Sequence, residues 1–252
     1  MGKDIADVLS TFMEKKGIHT FCLKAVLFDM DGVLFDSMKN HTLAWYKAVT
    51  AVGIPCEREE FYCYEGATAK WTIDTLLRRA YGREATEEEV IQLYDLKSKY
   101  FNELPEAVVM PGARILVQQV KEAGLTPVLV TGSGQRSLLG RLEREFPGIF
   151  APETMVTAFD VKRGKPDPEP YCKGLEKAGV ASYEAMIVEN APLGVKAGVA
   201  AGIFTIAVNT GPIPDEQLLE AGADLLFPDM QTFAQGGFPE ILRLLSDDGG
   251  AE

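Results

Sequence analysis

Basic residues are scarce in this sequence: 25 Lys and Arg stand against 37 Asp and Glu, a formal net charge of −12. That balance leaves no basic face for a phosphate backbone and argues against a nucleic-acid partner. A small anionic ligand remains compatible, because local groups govern a pocket. Cysteine and histidine are equally sparse. The four cysteines, Cys22, Cys56, Cys63 and Cys172, form no CxxC pair, and His19 and His41 are the two histidines, so zinc-finger spacing is absent. The cysteines read as free, buried thiols of a reducing compartment, which points to a cytoplasmic location. No apolar run approaches the length that spans a bilayer, which speaks against a membrane partner. Residues 1–20 lack the apolar core of a signal peptide and carry Lys3, Asp4, Asp7, Glu14, Lys15 and Lys16 instead.

What is present is an ordinary globular composition, 46% hydrophobic and 25% charged over 252 residues. That length suits one large core with a smaller inserted unit. Ile5, Val8, Leu9 and Phe12 are spaced like one helix face, so the first 20 residues read as an amphipathic helix docked on the body rather than held out for a partner. Short apolar runs at Lys24 to Met30, Thr126 to Thr131, Met155 to Ala158, Ala185 to Val188, Ile203 to Val208 and Asp224 to Phe227 read as buried strands. Helical stretches at Ala113 to Ala123, Gln135 to Glu145, Glu169 to Ala178 and Leu193 to Ala201 alternate with them, with Gly124, Gly179 and Gly202 placed as C-cap glycines. Alternating strands and helices predict an α/β fold, a Rossmann-like doubly wound parallel sheet. From about Asn40 to Leu104 only helical patterns appear, with a helix start near Thr86. The expected division is a core of residues 1–36 and 108–252 and an α-helical cap of residues 37–107, with Ser246 to Glu252 as a frayed tail.

In such a sheet, ligands bind at the C-terminal ends of the strands. The residues there are Asp29, Asp31 and Gly32, then Thr131, Gly132 and Ser133, then Gly164-Lys165-Pro166, then Glu189 and Asn190. Carboxylates with a Glu/Asn pair offer the hard oxygen ligands that suit Mg2+. A hydroxyl and a lysine suit phosphoryl oxygens, and amides of the turn after Asp29 could add an anion nest. One Asp can attack phosphorus while the other acts as acid and base. Singly, each motif has a bland explanation: an Asp at a strand end is often a turn former, and Glu-Asn could cap the next helix. The ordered set, each member after its own strand, carries the weight.

The motifs Phe28-Asp-Met-Asp-Gly-Val33, Thr131-Gly-Ser133, Gly164-Lys-Pro-Asp-Pro-Glu-Pro-Tyr171 and Val188-Glu-Asn-Ala-Pro-Leu-Gly-Val-Lys-Ala-Gly198 resemble those of the haloacid dehalogenase (HAD) superfamily, over nearly all the chain beyond residue 22. The resemblance implies Asp29 as nucleophile, Asp31 as general acid/base, Thr131 and Lys165 as phosphoryl binders, and Mg2+ held by Asp29, the Asp31 carbonyl and Glu189/Asn190. The helical insert resembles the cap of the β-phosphoglucomutase-like branch.

Within that branch the substrate turns on the cap. His41 and Trp45 stand at the mutase's spacing for cap-side positioning, although for Trp45 helix packing is the favoured reading. The loop Tyr64-Glu-Gly-Ala-Thr-Ala-Lys70 departs from the mutase pattern, with Glu65 where a lysine and Ala69 where an arginine would stand. Glu65 with Asn190 resembles the inorganic pyrophosphatases of the branch, and that is the favoured reading, with Glu65 as a solvated loop acid its bland counterpart. Lys97 and Lys99 on the last cap helix are candidate phosphate contacts or a solvated face. The alternatives are β-phosphoglucomutase, a broad sugar-phosphate phosphatase, and, from another class, a non-catalytic phosphate-binding module. A monomer is the simpler expectation, since the cap must swing over the site.

Overall fold

The computed structural model describes residues 4–133 and 136–248. Six parallel strands form one sheet in the order β3-β2-β1-β4-β5-β6. They are β1 (Ala25–Phe28), β2 (Thr126–Val130), β3 (Met155–Val156), β4 (Ala185–Glu189), β5 (Phe204–Val208) and β6 (Leu225–Phe227). Every residue of β1, β4 and β5 is buried. Both faces of the sheet are covered, which is why these strands read as continuous apolar runs rather than as alternations. Side chains still divide by the period of two. Val26, Phe28, Met186 and Val188 enter one core, and Ala25, Leu27, Ala185 and Ile187 enter the other.

The first core is packed by α1 (Ile5–Lys16), α6 (Ala113–Glu122), α7 (Arg136–Glu145) and the C-terminal run α11 (Met230–Thr232), a π-helical turn Phe233–Gly237 and α12 (Phe238–Asp248). The second is packed by α8 (Glu169–Ala178) and α9 (Pro192–Ala200), while α10 (Asp215–Glu220) closes the β5–β6 edge. α1 is docked, as its spacing predicts. Val8, Leu9 and Phe12 are buried, and Phe12 packs on Phe21 and Phe204 at ring-centroid distances of 5.3 and 5.1 Å. Three buried apolar side chains contribute about 1.5–3 kcal/mol each, enough to hold the helix on the body. Residues 246–248 do not form the expected tail but continue α12 to Asp248; residues 249–252 lie outside the described residues, as does the expected helix start at Gln135.

Between β1 and α6 the chain forms a helical cap of α2 (Met38–Ala51), α3 (Glu60–Cys63), α4 (Ala69–Tyr81) and α5 (Glu87–Asn102). Thr68 caps α4 by accepting from Trp71 N at 3.2 Å, and Thr86 begins α5 in a capping box with Glu89. Ala48, Val49, Ile54, Phe61, Ile73, Leu76, Leu77 and Leu93 give the cap its own apolar cluster. The two linkers pair with each other: Asp36 N donates to Val108 O at 2.9 Å and Met110 N to Leu34 O at 2.9 Å. The cysteines depart from expectation. Cys22 is exposed and the other three are half-buried; Cys22 and Cys56 lie in loops, and Cys63 ends α3.

Candidate active site

β1 lies between β2 and β4, where the strand order reverses, so the crevice at its C-terminal end collects residues from three strand ends. Asp29 follows β1 directly and is buried. Its Oδ1 accepts from Lys165 Nζ at 2.5 Å, and its Oδ2 from Asp31 N at 3.0 Å. Lys165 Nζ also donates to Glu189 Oε1 at 2.6 Å and to Val130 O at 3.2 Å, which ties β1, β2 and β4 together through one ammonium group. Tyr171 OH donates to Glu189 Oε1 at 2.6 Å, and Asn190 N to Glu189 Oε2 at 3.0 Å. Burial, reinforced by Glu189 and Asp31, pushes the Asp29 carboxyl up to about 7 against the pull of Lys165. The Lys165 ammonium is held above its ordinary range: burial opposes its charge, and Asp29 and Glu189 outweigh that.

Asp31 is shaped differently. Its Oδ1 accepts from Ser37 Oγ at 2.5 Å and lies 3.1 Å from His41 Nε2. His41 Nδ1 lies 3.0 Å from Lys97 Nζ. Since an ammonium can only donate, Nδ1 is the acceptor and Nε2 carries the proton toward Asp31. Burial alone would raise the Asp31 carboxyl, but His41, Ser37 and the Lys97 charge bring it below the usual range. Burial and Lys97 together lower His41. Lys97 is itself depressed to about 8 by burial, although Asp31 and Glu65 pull it upward. It sits against the Phe101 ring at 4.9 Å and the Tyr94 ring at 5.7 Å. Lys99 by contrast is exposed on the outer face of α5.

Cap and core enclose a cavity of about 320 Å³, lined among others by Asp31, His41, Glu65, Lys97, Gly132 and Ser133. Glu65 is half-buried and lines this cavity. Burial, then Asp31 and Asp29, push its carboxyl well above the ordinary range. Thr131 is buried at the end of β2, where its Oγ1 accepts from Ser133 N at 3.0 Å. Trp45 stacks on Phe61 at 6.1 Å within the cap, the packing role its spacing suggests, and also borders the cavity. Ala69 opens α4 and lines the cavity without a charge to offer. The turn after Asp29 offers less of an anion nest than expected. Asp31 N is taken by Asp29, and Gly32 N by Phe35 O at 2.7 Å.

Among the described residues no cluster of three or more His, Cys, Asp or Glu side chains is arranged to hold a metal ion. Mg2+ does not demand one, since it keeps most of its waters and takes one or two carboxylates. Two observations fit it here. Four carboxyl groups, Asp29, Asp31, Glu65 and Glu189, meet two ammonium groups, Lys97 and Lys165, and the upward push on Asp29 and Glu65 marks a site short of positive charge. Asn190 Oδ1 is buried with no hydrogen-bond partner. Glu189, expected as a ligand, has both oxygens engaged by Lys165, Tyr171 and Asn190 N. Asp29 is engaged likewise, by Lys165 and Asp31 N, so the acceptor left open at the site is Asn190 Oδ1. Gly32, at φ 92°, lies so close to Asn190 that an added Cβ would collide with its amide.

Sequence reasoning misses two residues, Ser37 and Tyr171. No motif marks Ser37, which precedes α2 and whose hydroxyl donates to Asp31. Tyr171 closes the Gly164 to Tyr171 motif with no role assigned, and only its burial beside Glu189 shows its hydroxyl at work.

The model of the haloacid dehalogenase-like hydrolases matches residues 23–202. Hexitol phosphatase A of Escherichia coli is 33% identical over 74% of this chain and 83% of its own length. A phosphorylated carbohydrates phosphatase of Thermotoga maritima is 31% identical over 80% and 92%. A solved structure from Bacteroides vulgatus, provisionally described as a beta-phosphoglucomutase, is 50% identical with a TM-score of 0.90, covering 96% of this chain and 97% of that one. The names of these relatives speak of phosphorylated carbohydrates and of the mutase, and none of the three mentions pyrophosphate.

Proposed function

The chain belongs to the haloacid dehalogenase-like hydrolases, and from that premise we propose that it is a Mg2+-dependent phosphohydrolase that forms a phosphate ester on Asp29 and prefers inorganic pyrophosphate. In the first step a bond forms between the Asp29 carboxylate and phosphorus as the bond to the leaving oxygen breaks. In the second, water attacks that phosphorus, Asp31 takes its proton, and Asp29 is released as carboxylate. Lys165, fixed at 2.5 Å from Asp29, aims its charge where negative charge gathers on the transferring oxygens. The Thr131 hydroxyl, whose oxygen accepts from Ser133 N, is left to donate to a phosphoryl oxygen beside the cavity. A magnesium ion held by Asp29, the Asp31 carbonyl and Asn190 would supply charge neutralisation at the phosphoryl oxygens.

The observation that carries the substrate preference is Glu65, a cap carboxyl placed against the catalytic carboxyls in the cavity. Glu65 brings no positive charge to grip the distal phosphate of a sugar bisphosphate. It can close on the water shell of a cation-bound diphosphate and fill the room a sugar needs. Asp31 supports this reading, since its Oδ1 is held by two donors as a carboxylate would be. A departing phosphate, with a pKa of about 6 in its esters, needs a proton far less than a sugar alkoxide does. A second reading, a sugar-phosphate phosphatase, is favoured by the relatives' names and by the aromatic wall of Trp45, Tyr64 and Phe159 on the cavity. Phosphate release from pyrophosphate with Mg2+, measured against a panel of hexose, hexitol and glycerol phosphates, decides between them. A kcat/KM for pyrophosphate at least tenfold above every ester is expected; an ester that exceeds it establishes the second reading. Turnover of none would contradict both.

A further inference from the structure

The cap loop, residues 64–68, meets the core at three glycines, where an added Cβ would collide at two and meet a very tight contact at the third. A Cβ on Gly66 would stand 2.6 Å from Lys165 Cδ, one on Gly132 would stand 3.0 Å from the Gly66 carbonyl oxygen, and one on Gly164 would stand 2.7 Å from Thr68 Cγ2. The loop therefore lies backbone to backbone in a slot between the turns that end β2 and precede α8, directly on the stem of the lysine that holds Asp29. Glu65 is the residue just before the first of these contacts. A second seat lies nearby, where Tyr62 packs against the cluster of Val195, Ile213 and Leu218 and Cys63 Sγ lies 3.5 Å from Gln217 Oε1.

We propose that Gly66, Gly132 and Gly164 form a steric latch that seats the cap loop and so positions Glu65 over the reacting groups. The inference rests on the reading above that Glu65 faces the substrate. These are positioning residues: none carries a functional group, and they act by how closely two backbones can approach. The cost of a missed seat follows from geometry. Displacing a positioned group by about 1 Å can cost on the order of 100-fold in rate. Gly66 has φ 80°, so any substitution there strains the backbone for an unrelated reason, whereas Gly132 and Gly164 have ordinary φ. Alanine at the latter two positions therefore tests the contact alone.

The test measures kcat and KM of purified full-length variants with Mg2+, on whichever phosphate substrate the wild type turns over fastest. Gly164→Ala is expected to keep the wild-type melting temperature within a few degrees and to lose about 10- to 50-fold in kcat/KM. Thr68→Ser removes the methyl that collides with that alanine while keeping the hydroxyl that caps α4. Added to Gly164→Ala, it is expected to restore at least fivefold. Gly132→Ala should lose more and gain nothing from Thr68→Ser, because its neighbour is a backbone carbonyl; it also carries the test if Gly164→Ala fails to fold. In a Glu65→Ala background, Gly164→Ala should cost less than twofold. Full activity of both alanine variants, or no restoration by Thr68→Ser, overturns the latch. The same loss with and without Glu65 overturns the link to Glu65 while leaving the steric contact standing. No effect of Glu65→Ala on any substrate removes the reading of Glu65 itself.

Discussion

The two walls of the cavity are built on different principles. The core wall is locked: one ammonium, Lys165, ties Asp29, Glu189 and the Val130 carbonyl, and the two carboxyls stand at the ends of fully buried strands. The cap wall is held by a relay, Lys97 to His41 to Asp31, and by a loop seated on glycines. On the proposed reading the first arrangement fixes the reaction, and the second can be re-tuned by changing one cap residue without disturbing Asp29, as one fold hosts different functions.

The largest effect expected on breaking this contrast lies on the core wall. Asp29→Asn should abolish turnover, a loss of at least about 10⁴-fold, with the fold intact. Asp29 has a folded-state pKa of about 7 against an ordinary 3.8. Its charge therefore costs stability as pH rises from about 4 to about 7, so the amide should be no less stable than the wild type at pH 7 in a chelator. Thermal melts and phosphate release measure both, and turnover near wild type would remove Asp29 as nucleophile.

On the cap wall, Lys97→Met should lose activity and gain stability. The pKa of Lys97 falls to about 8 from 10.5. Between these values the unfolded chain holds more protons, so the wild type should gain up to about 3 kcal/mol as pH rises across the window. That rise should be missing in Lys97→Met, which should also be the more stable protein at pH 7 by about 1–2 kcal/mol. Its kcat/KM should fall about 10- to 100-fold, and wild-type activity should decline as pH rises through about 8. An unchanged rate would make Lys97 a packing residue.

The smallest expected change is at the seam. Asn190→Asp adds a charge beside the cation site, on the order of 3 kcal/mol at most at about 5 Å. Mg2+ affinity should rise, and the preference for pyrophosphate over esters should fall by less than tenfold. Calorimetric titration with Mg2+ and the substrate panel would show it, and an unmoved preference would sink the charge argument.

The same contrast explains what is legible in the sequence. Asp29, Asp31, Thr131, Lys165 and Glu189 each follow a short apolar run, so strand periodicity and the end-of-strand rule are enough to gather them. The strand order and the interlock of Lys165 with two carboxylates arise from packing between segments more than 130 residues apart, as for Lys165 and Asp29, and sequence spacing does not carry that. The engagement of Glu189 by Lys165 and Tyr171 is hidden for the same reason. On the cap side, Glu65 reads from sequence as a loop acid that could equally be solvated, because only the seating of residues 64–68 turns it inward. Lys97 and Lys99 look alike in sequence, and helix phase places one in the site and the other in solvent.

The most direct measurement is the ratio of kcat/KM for pyrophosphate to kcat/KM for the best sugar phosphate, in the wild type and in Glu65→Ala, with Mg2+ saturating. If the core wall fixes the chemistry and Glu65 chooses the substrate, the ratio should fall at least about 100-fold, with ester turnover unchanged or raised. An equal loss on both substrates, or no loss on either, would contradict that division of labour.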